Sequence, residues 1–165
     1  MESNMNELLS KISSYNIFNY LLPGIIFAVL ADDMIRYPIV QQDIFVGAFL
    51  YYFLGLVVSR FGSLIIEPLL KRLSFVHFAD YKDFVAASKK DSQLELLSEV
   101  NNTYRTLCSL FSLLLLLKVY TNIEETFPVV KEWDAAVLAL LLLIMFLFSY
   151  RKQTSYITRR IKAAG

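Results

Sequence analysis

Residues 135–150 read AAVLALLLLIMFLFSY, a run without any charged side chain between Asp134 and Arg151. A transmembrane helix needs about 20 residues, at about 1.5 Å each, to cross a hydrocarbon layer of about 30 Å. The run therefore needs only short extensions to span a membrane. The whole chain has the same character: of its 165 residues, 56% are hydrophobic and 19% are charged, and the mean hydropathy is +0.50. This composition favours a membrane protein over a compact soluble domain.

Three other apolar segments are long enough to be considered as spans. They cover residues 14–31, 44–63 and 106–121. Together with the run at 135–150 they predict an all-α, polytopic membrane protein with four transmembrane helices in a single membrane domain, 1–165. The alternative is that these runs are buried helices of a soluble bundle, and four of them in one small chain disfavour it.

The distribution of charge predicts how these spans are oriented. Cytoplasmic loops are rich in Lys and Arg, whereas translocated loops are poor in them. With four spans, the N-terminus, the loop 59–105 and the basic tail 151–165 share one side of the membrane. That side holds all of the 16 Lys and Arg residues except Arg36, Lys118 and Lys131. Both termini are therefore expected to be cytoplasmic.

The first span carries polar and helix-breaking residues. Asn16 and Asn19 precede Pro23 and Gly24, and Pro23 cannot donate a hydrogen bond to the carbonyl of Asn19, four residues back. Lipid offers these polar groups no partner, so we expect this face to point towards another helix or subunit. It serves either as interhelical packing through polar contacts or as a hinge or pore-lining kink.

The second span carries small residues at every fourth position, Gly55, Ser59 and Ser63. Small side chains at this spacing let two helix backbones approach closely in a membrane. The stripe is therefore predicted to pack against another helix. Its partner lies either in the same subunit or in another one, and the spacing does not distinguish these two cases.

The predicted cytoplasmic loop, residues 71–105, is the largest segment outside the spans. No Gly or Pro occurs between Pro68 and Pro128, so the loop is expected to be helical. Its second half is predicted to continue without a break into the third span, as a stalk that extends beyond the hydrocarbon.

Basic residues near the predicted inner face are expected to attract lipid headgroups: Lys71, Arg72, Arg151, Lys152, Arg159 and Arg160. Contact with nucleic acid is the alternative. It is disfavoured because acidic residues are interleaved with the basic ones and no nucleic-acid-binding motif is present. Membrane lipids are therefore an expected partner, and nucleic acid is not.

No catalytic or metal-binding pattern is found in the sequence. One cysteine, Cys108, and one histidine, His77, leave no pair for a metal site or a catalytic dyad. The chain has no P-loop, no GxSxG, no HExxH and no glycine-rich dinucleotide turn. We therefore expect a protein that is not an enzyme and that needs neither a cofactor nor a metal.

Three features of the sequence form one layout: the segment YNIFNYLLPGIIFAVL at residues 15–30, the four predicted spans, and the single helical loop. This layout resembles small membrane subunits of bacterial anti-phage defence systems, in particular the membrane subunit of Kiwa-type systems. The resemblance implies a homo-oligomeric sensor in the bacterial inner membrane that works with a separate cytoplasmic, DNA-binding effector. The loop 71–105 then becomes the docking surface for that partner, through Tyr81, Phe84, Val85, Leu94 and Leu97.

Other defence families use four-span proteins as pore-forming or membrane-disrupting effectors, and this is the alternative function. A pore needs polar side chains around the axis of an oligomer. The sequence offers four such residues: Asn16, Asn19, Ser109 and Ser112.

Overall fold

The computed structural model of the chain describes residues 17–35 and 38–164, and within these ranges it contains helices and no strand. Six α-helices are numbered here along the chain: α1 (Leu22–Asp32), α2 (Ile44–Phe61), α3 (Glu67–Arg72), α4 (Tyr81–Ser88), α5 (Gln93–Thr126) and α6 (Asp134–Ala164). Two π-helical segments, Ile17–Leu21 and Gly62–Ile66, precede α1 and α3, and a 3-10 segment, Pro128–Trp133, precedes α6. The predicted all-helical class is confirmed.

Three helical stretches are long and apolar enough to cross a membrane: Ile44–Arg72, Gln93–Thr126 and Lys131–Lys162. They contain the predicted spans at 44–63, 106–121 and 135–150. The described part of the first predicted span forms a shorter apolar helix, Asn19–Asp32. Asn16 and the rest of that span's start lie outside the described residues. The structure thus supports three helices of membrane-spanning length, and a fourth span remains a prediction.

Helix α5 is the longest element of the described chain. Its 34 residues correspond to roughly 51 Å, so it extends about 20 Å beyond a hydrocarbon layer of about 30 Å. The helix continues without a break because it contains neither Gly nor Pro. The second half of the predicted loop 71–105 and the predicted span 106–121 therefore belong to one helix.

Each of the two π-helical segments ends two residues before a proline, Pro23 in one case and Pro68 in the other. Proline lacks the N–H that a regular helix uses and its ring presses on the preceding turn. A local widening to π geometry accommodates both effects. At Glu67, next to Pro68, the backbone N–H donates to the carbonyl of Gly62, five residues back. The helical run from Ile44 to Arg72 thus passes Pro68 without ending.

Helices α1 and α2 pack backbone against backbone through two glycines. A Cβ atom added to Gly24 would lie 1.7 Å from the carbonyl oxygen of Tyr51, and one added to Gly55 would lie 1.7 Å from the carbonyl oxygen of Tyr20. No side chain fits at either position. The two contacts are reciprocal. Gly24 lies four residues after Tyr20, which Gly55 faces, and Gly55 lies four residues after Tyr51, which Gly24 faces.

A small apolar core lies where α1, α2 and α5 meet, and it consists of Ala31, Val58, Leu110 and Leu114. Helix α6 is packed differently, because none of the residues in its most apolar stretch is buried. The described chain is therefore a closely packed unit of α1, α2 and α5 with α6 lying beside it.

The glycine contact leads to a first prediction. Gly55→Ala is expected to lower the free energy of unfolding by about 1–3 kcal/mol, because overpacking outweighs the gain of up to about 1 kcal/mol that alanine brings to a helix. Thermal denaturation of the detergent-solubilised protein measures the change. Gly47→Ala is the matched control, since a Cβ there meets first the flexible ring of Tyr51, at 3.1 Å. Equal stability of the two variants would contradict the close approach at Gly55.

Candidate functional site: a charge cluster and an exposed helix face

Glu67 is a buried acid near the end of the helical stretch Ile44–Arg72. The residue is 7% exposed and opens α3 immediately after the π-helical segment. A carboxylate buried among apolar helices is stable only when opposite charges or hydrogen-bond donors satisfy it. The helices that supply the groups around Glu67 are therefore held close to it.

Three cations from three different helices surround the carboxylate of Glu67. Lys71 of α3 lies with its Nζ 3.0 Å from Oε1, and Arg105 of α5 lies with its Nη1 2.7 Å from Oε2. Lys152 of α6 lies with its Nζ 3.7 Å from Oε1. We call these four residues the Glu67 cluster. It joins α3, α5 and α6 at one end of the bundle.

Lys152 is held by further contacts. Its Nζ donates to the backbone carbonyl of Ser63 at 2.6 Å and to the Ser63 hydroxyl at 2.7 Å. The predicted small-residue stripe begins in α2 and ends in the π-helical segment Gly62–Ile66, where Ser63 accepts from a lysine of α6. The other members of the stripe, Gly55 and Ser59, are also buried.

The basic residues predicted to meet lipid headgroups divide into two groups. Lys71 and Lys152 belong to the Glu67 cluster, and Arg159 lies over the rings of Tyr156, at 4.7 Å, and Tyr81, at 5.6 Å. The remaining three make no such contact within the described residues: Arg72, Arg151 and Arg160. Contact with headgroups remains a prediction for all six, and these three are the ones without a partner within the described chain that would compete for it.

Polar residues of the first helical segment face the other helices. Asn19 is 4% exposed, and its Oδ1 accepts a hydrogen bond from the hydroxyl of Thr103 on α5 at 3.4 Å. The hydroxyl of Tyr20 accepts from Arg60 of α2 at 3.0 Å. Pro23 and Gly24 are buried as well. These residues therefore contribute to packing between helices of the same chain.

The residues predicted to dock a partner lie in different surroundings. Tyr81, Phe84, Val85 and Leu94 are half-buried, and the Tyr81 ring lies 6.2 Å from that of Tyr156 on α6. Leu97 is exposed. It belongs to a row of exposed apolar side chains on one side of α5, which we call the α5 face: Leu96, Leu97, Val100 and Tyr104. The α5 face offers apolar surface that α4 lacks.

Sequence reasoning missed Glu67 and Arg105 as site residues. The available signal was a single acid between apolar pairs, in IIEPLL at 65–70, directly before a proline. The contacts of the cluster join three helices: its four charges hold α3, α5 and α6 in a fixed register. Among residues 17–35 and 38–164, no group of three or more His, Cys, Asp or Glu is placed to hold a metal ion.

A second prediction concerns the charge of Glu67. Glu67→Gln keeps the shape of the side chain but leaves three cations close together without an acid. The expected loss is about 1–3 kcal/mol, less than the 3–5 kcal/mol typical of fully buried pairs, because the cations are partly exposed to solvent. Glu99→Gln, at an exposed position of α5, is the control.

A double-mutant cycle of Glu67→Gln with Arg105→Gln isolates the contact by thermal denaturation in detergent. We expect a coupling free energy above about 0.5 kcal/mol between the two sites. Additive effects of the two changes would show that the contact between Glu67 and Arg105 does not contribute to stability.

Comparison of the chain with protein-family models, with curated protein sequences and with solved structures gives no match. The resemblance to membrane subunits of defence systems therefore stays an expectation from the layout of the sequence. Function has to be argued from the Glu67 cluster and the α5 face.

Proposed function

We propose that the chain is a non-enzymatic subunit of the bacterial inner membrane that forms homo-oligomers and docks a cytoplasmic protein through its 71–105 segment. The observation that carries this proposal is the α5 face. It presents four large apolar side chains on the part of α5 that precedes the Glu67 cluster. A role as a membrane sensor in anti-phage defence rests in addition on the resemblance of the sequence layout.

The position of the α5 face supports a partner in the cytoplasm. Arg105 marks the level of the Glu67 cluster, and Leu97 lies eight residues earlier on the same helix, roughly 12 Å away. Charged groups mark the end of the apolar layer in membrane proteins. Leu97 and Val100 therefore extend beyond the hydrocarbon, where exposed apolar side chains are typical of an interaction surface.

The spacing of the exposed residues supports a particular mode of docking. Leu97, Val100 and Tyr104 follow each other at i, i+3 and i+7, so they form one line along the helix. This spacing is the one with which an amphipathic helix enters an apolar groove of a partner. A partner with such a groove fits the α5 face.

The alternative function, an oligomeric pore, has less support in the contacts of the polar residues. Asn19 faces Thr103 inside the packed unit, and Ser109 is buried and donates to the carbonyl of Val58 at 2.6 Å. Ser112 donates to the carbonyl of Cys108 on its own helix, and Asn16 lies outside the described residues. These contacts favour the docking proposal over a pore lined by these side chains.

A third prediction tests the docking proposal with the double variant Leu97→Asp and Val100→Asp. The protein is purified in mild detergent from its native host, its oligomer mass is measured, and co-eluting proteins are identified. A protein that elutes with the wild type in constant ratio is expected to bind the variant at least roughly tenfold more weakly, because buried apolar anchors dominate such interfaces. Glu95→Lys, on the opposite side of α5, is the control and keeps the partner.

The outcome that contradicts docking is a partner that stays bound to the double variant while the oligomer is intact. The pore alternative makes a different prediction. If the protein is a pore, Asn19→Leu abolishes conductance of the reconstituted protein in a planar bilayer. Under the docking proposal this change leaves the partner bound, so the two variants distinguish the two functions.

A further inference from the structure

Helix α6 touches the rest of the chain at its start and again from its middle onwards. In the middle of α6, Phe146 lies with its ring 6.2 Å from that of Phe53, and Lys152 contacts Ser63 six residues later. At its start, Asp134 accepts a hydrogen bond from the hydroxyl of Tyr120. Between these contacts lies a cleft with a volume of about 1080 Å³, which we call the α6 cleft.

The walls of the α6 cleft are apolar over most of their length. They are formed by Phe61 and Leu64 on one side, Leu113 and Leu117 of α5, and the side of α6 with Leu141. Along α6 the cleft reaches from Ala135 to Phe148, roughly 20 Å, which exceeds the thickness of one leaflet, about 15 Å. Its volume lies just above the range of small-molecule sites, about 300–1,000 Å³.

One end of the α6 cleft is polar. Glu124 lines it and is 9% exposed, and its Oε1 has no hydrogen-bond partner among the described residues. A buried carboxylate oxygen without a donor is unfavourable, so the free oxygen indicates a missing donor. Glu132 and Asp134 line the same end, with Lys131 as the one cation there among the described lining residues. The local charge therefore favours a cationic group.

We propose that the α6 cleft binds a phospholipid whose headgroup carries a primary ammonium. Its N–H donors satisfy the carboxylate of Glu124, its phosphate lies towards Lys131, and its acyl chains fill the apolar part between α5 and α6. Because Glu124 lies at the end of α5 opposite to the Glu67 cluster, the lipid comes from the outer leaflet. The site does not involve the α5 face, so it is independent of docking.

The amphiphilic shape of the cleft favours a lipid over a second copy of the chain. A helix of another subunit fills apolar space equally well, but it brings no ammonium to Glu124 unless a lysine is placed there. Within the predicted spans 44–63, 106–121 and 135–150 the one lysine is Lys118, and it lies on α5 itself. A phospholipid supplies both the chains and the donor.

The test uses the full-length protein, stripped of lipid in detergent and then incubated with one defined phospholipid at a time. Native mass spectrometry measures how much lipid stays bound and the oligomer mass. Phosphatidylethanolamine is expected to bind about tenfold more tightly than phosphatidylcholine, which has the same charges but no N–H donor, and more tightly than phosphatidylglycerol. Glu124→Gln removes this preference, whereas Glu99→Gln keeps it.

A second pair of variants tests the cleft itself. Leu141→Trp fills the apolar space and is expected to reduce binding of all three lipids, whereas Leu140→Trp, which is exposed but does not line the cleft, leaves binding unchanged. Equal binding of the three lipids to the wild type, or an unchanged preference in Glu124→Gln, overturns the proposal. A Leu141→Trp variant that loses its oligomer instead of its lipid assigns the cleft to a second copy.

Discussion

The carboxylate of Glu67 fixes the relative height of three helices. One of its oxygens lies 2.7 Å from Arg105 and the other 3.0 Å from Lys71, with Lys152 at 3.7 Å. In an apolar environment, separating such charges is unfavourable, so the helices cannot slide past one another freely. The cluster therefore sets the height of α5 relative to α3 and α6, and with it the position of the α5 face on the bundle.

Gly62 and Pro68 determine the position of Glu67 relative to α5. The π-helical turn before Pro68 lets the helix pass the proline without ending, so Glu67 stays on the same rod as α2. Gly62, one turn earlier, faces α5 directly: a Cβ there would lie 3.2 Å from the carbonyl oxygen of Arg105. The close approach of the backbones at Gly62 allows the guanidinium of Arg105 to reach the carboxylate.

Local properties of the sequence were sufficient to predict the long helices. The length of an apolar run and the absence of Gly and Pro are properties of a single segment. The helical class and the unbroken α5 could therefore be derived from the sequence of each segment by itself. The contact between Glu67 and Lys152 could not, because the two residues lie far apart in the chain and meet only through the register of two helices. The α6 cleft depends in the same way on how far α6 stands from its neighbours. Lys152 accordingly looked like a residue for lipid headgroups, as isolated lysines beside apolar runs usually do.

The distance between the two charged positions of α5, Arg105 and Glu124, matches the thickness of a membrane's hydrocarbon layer. Arg105 and Glu124 lie 19 residues apart, roughly 28 Å along a straight helix, close to the hydrocarbon thickness of about 30 Å. On α6, Asp134 and Arg151 are separated by roughly 26 Å. Both helices therefore place charged residues at the two borders of one apolar layer. Since α5 contains neither Gly nor Pro, it runs as one unbroken helix from Glu124 past Arg105 to the α5 face.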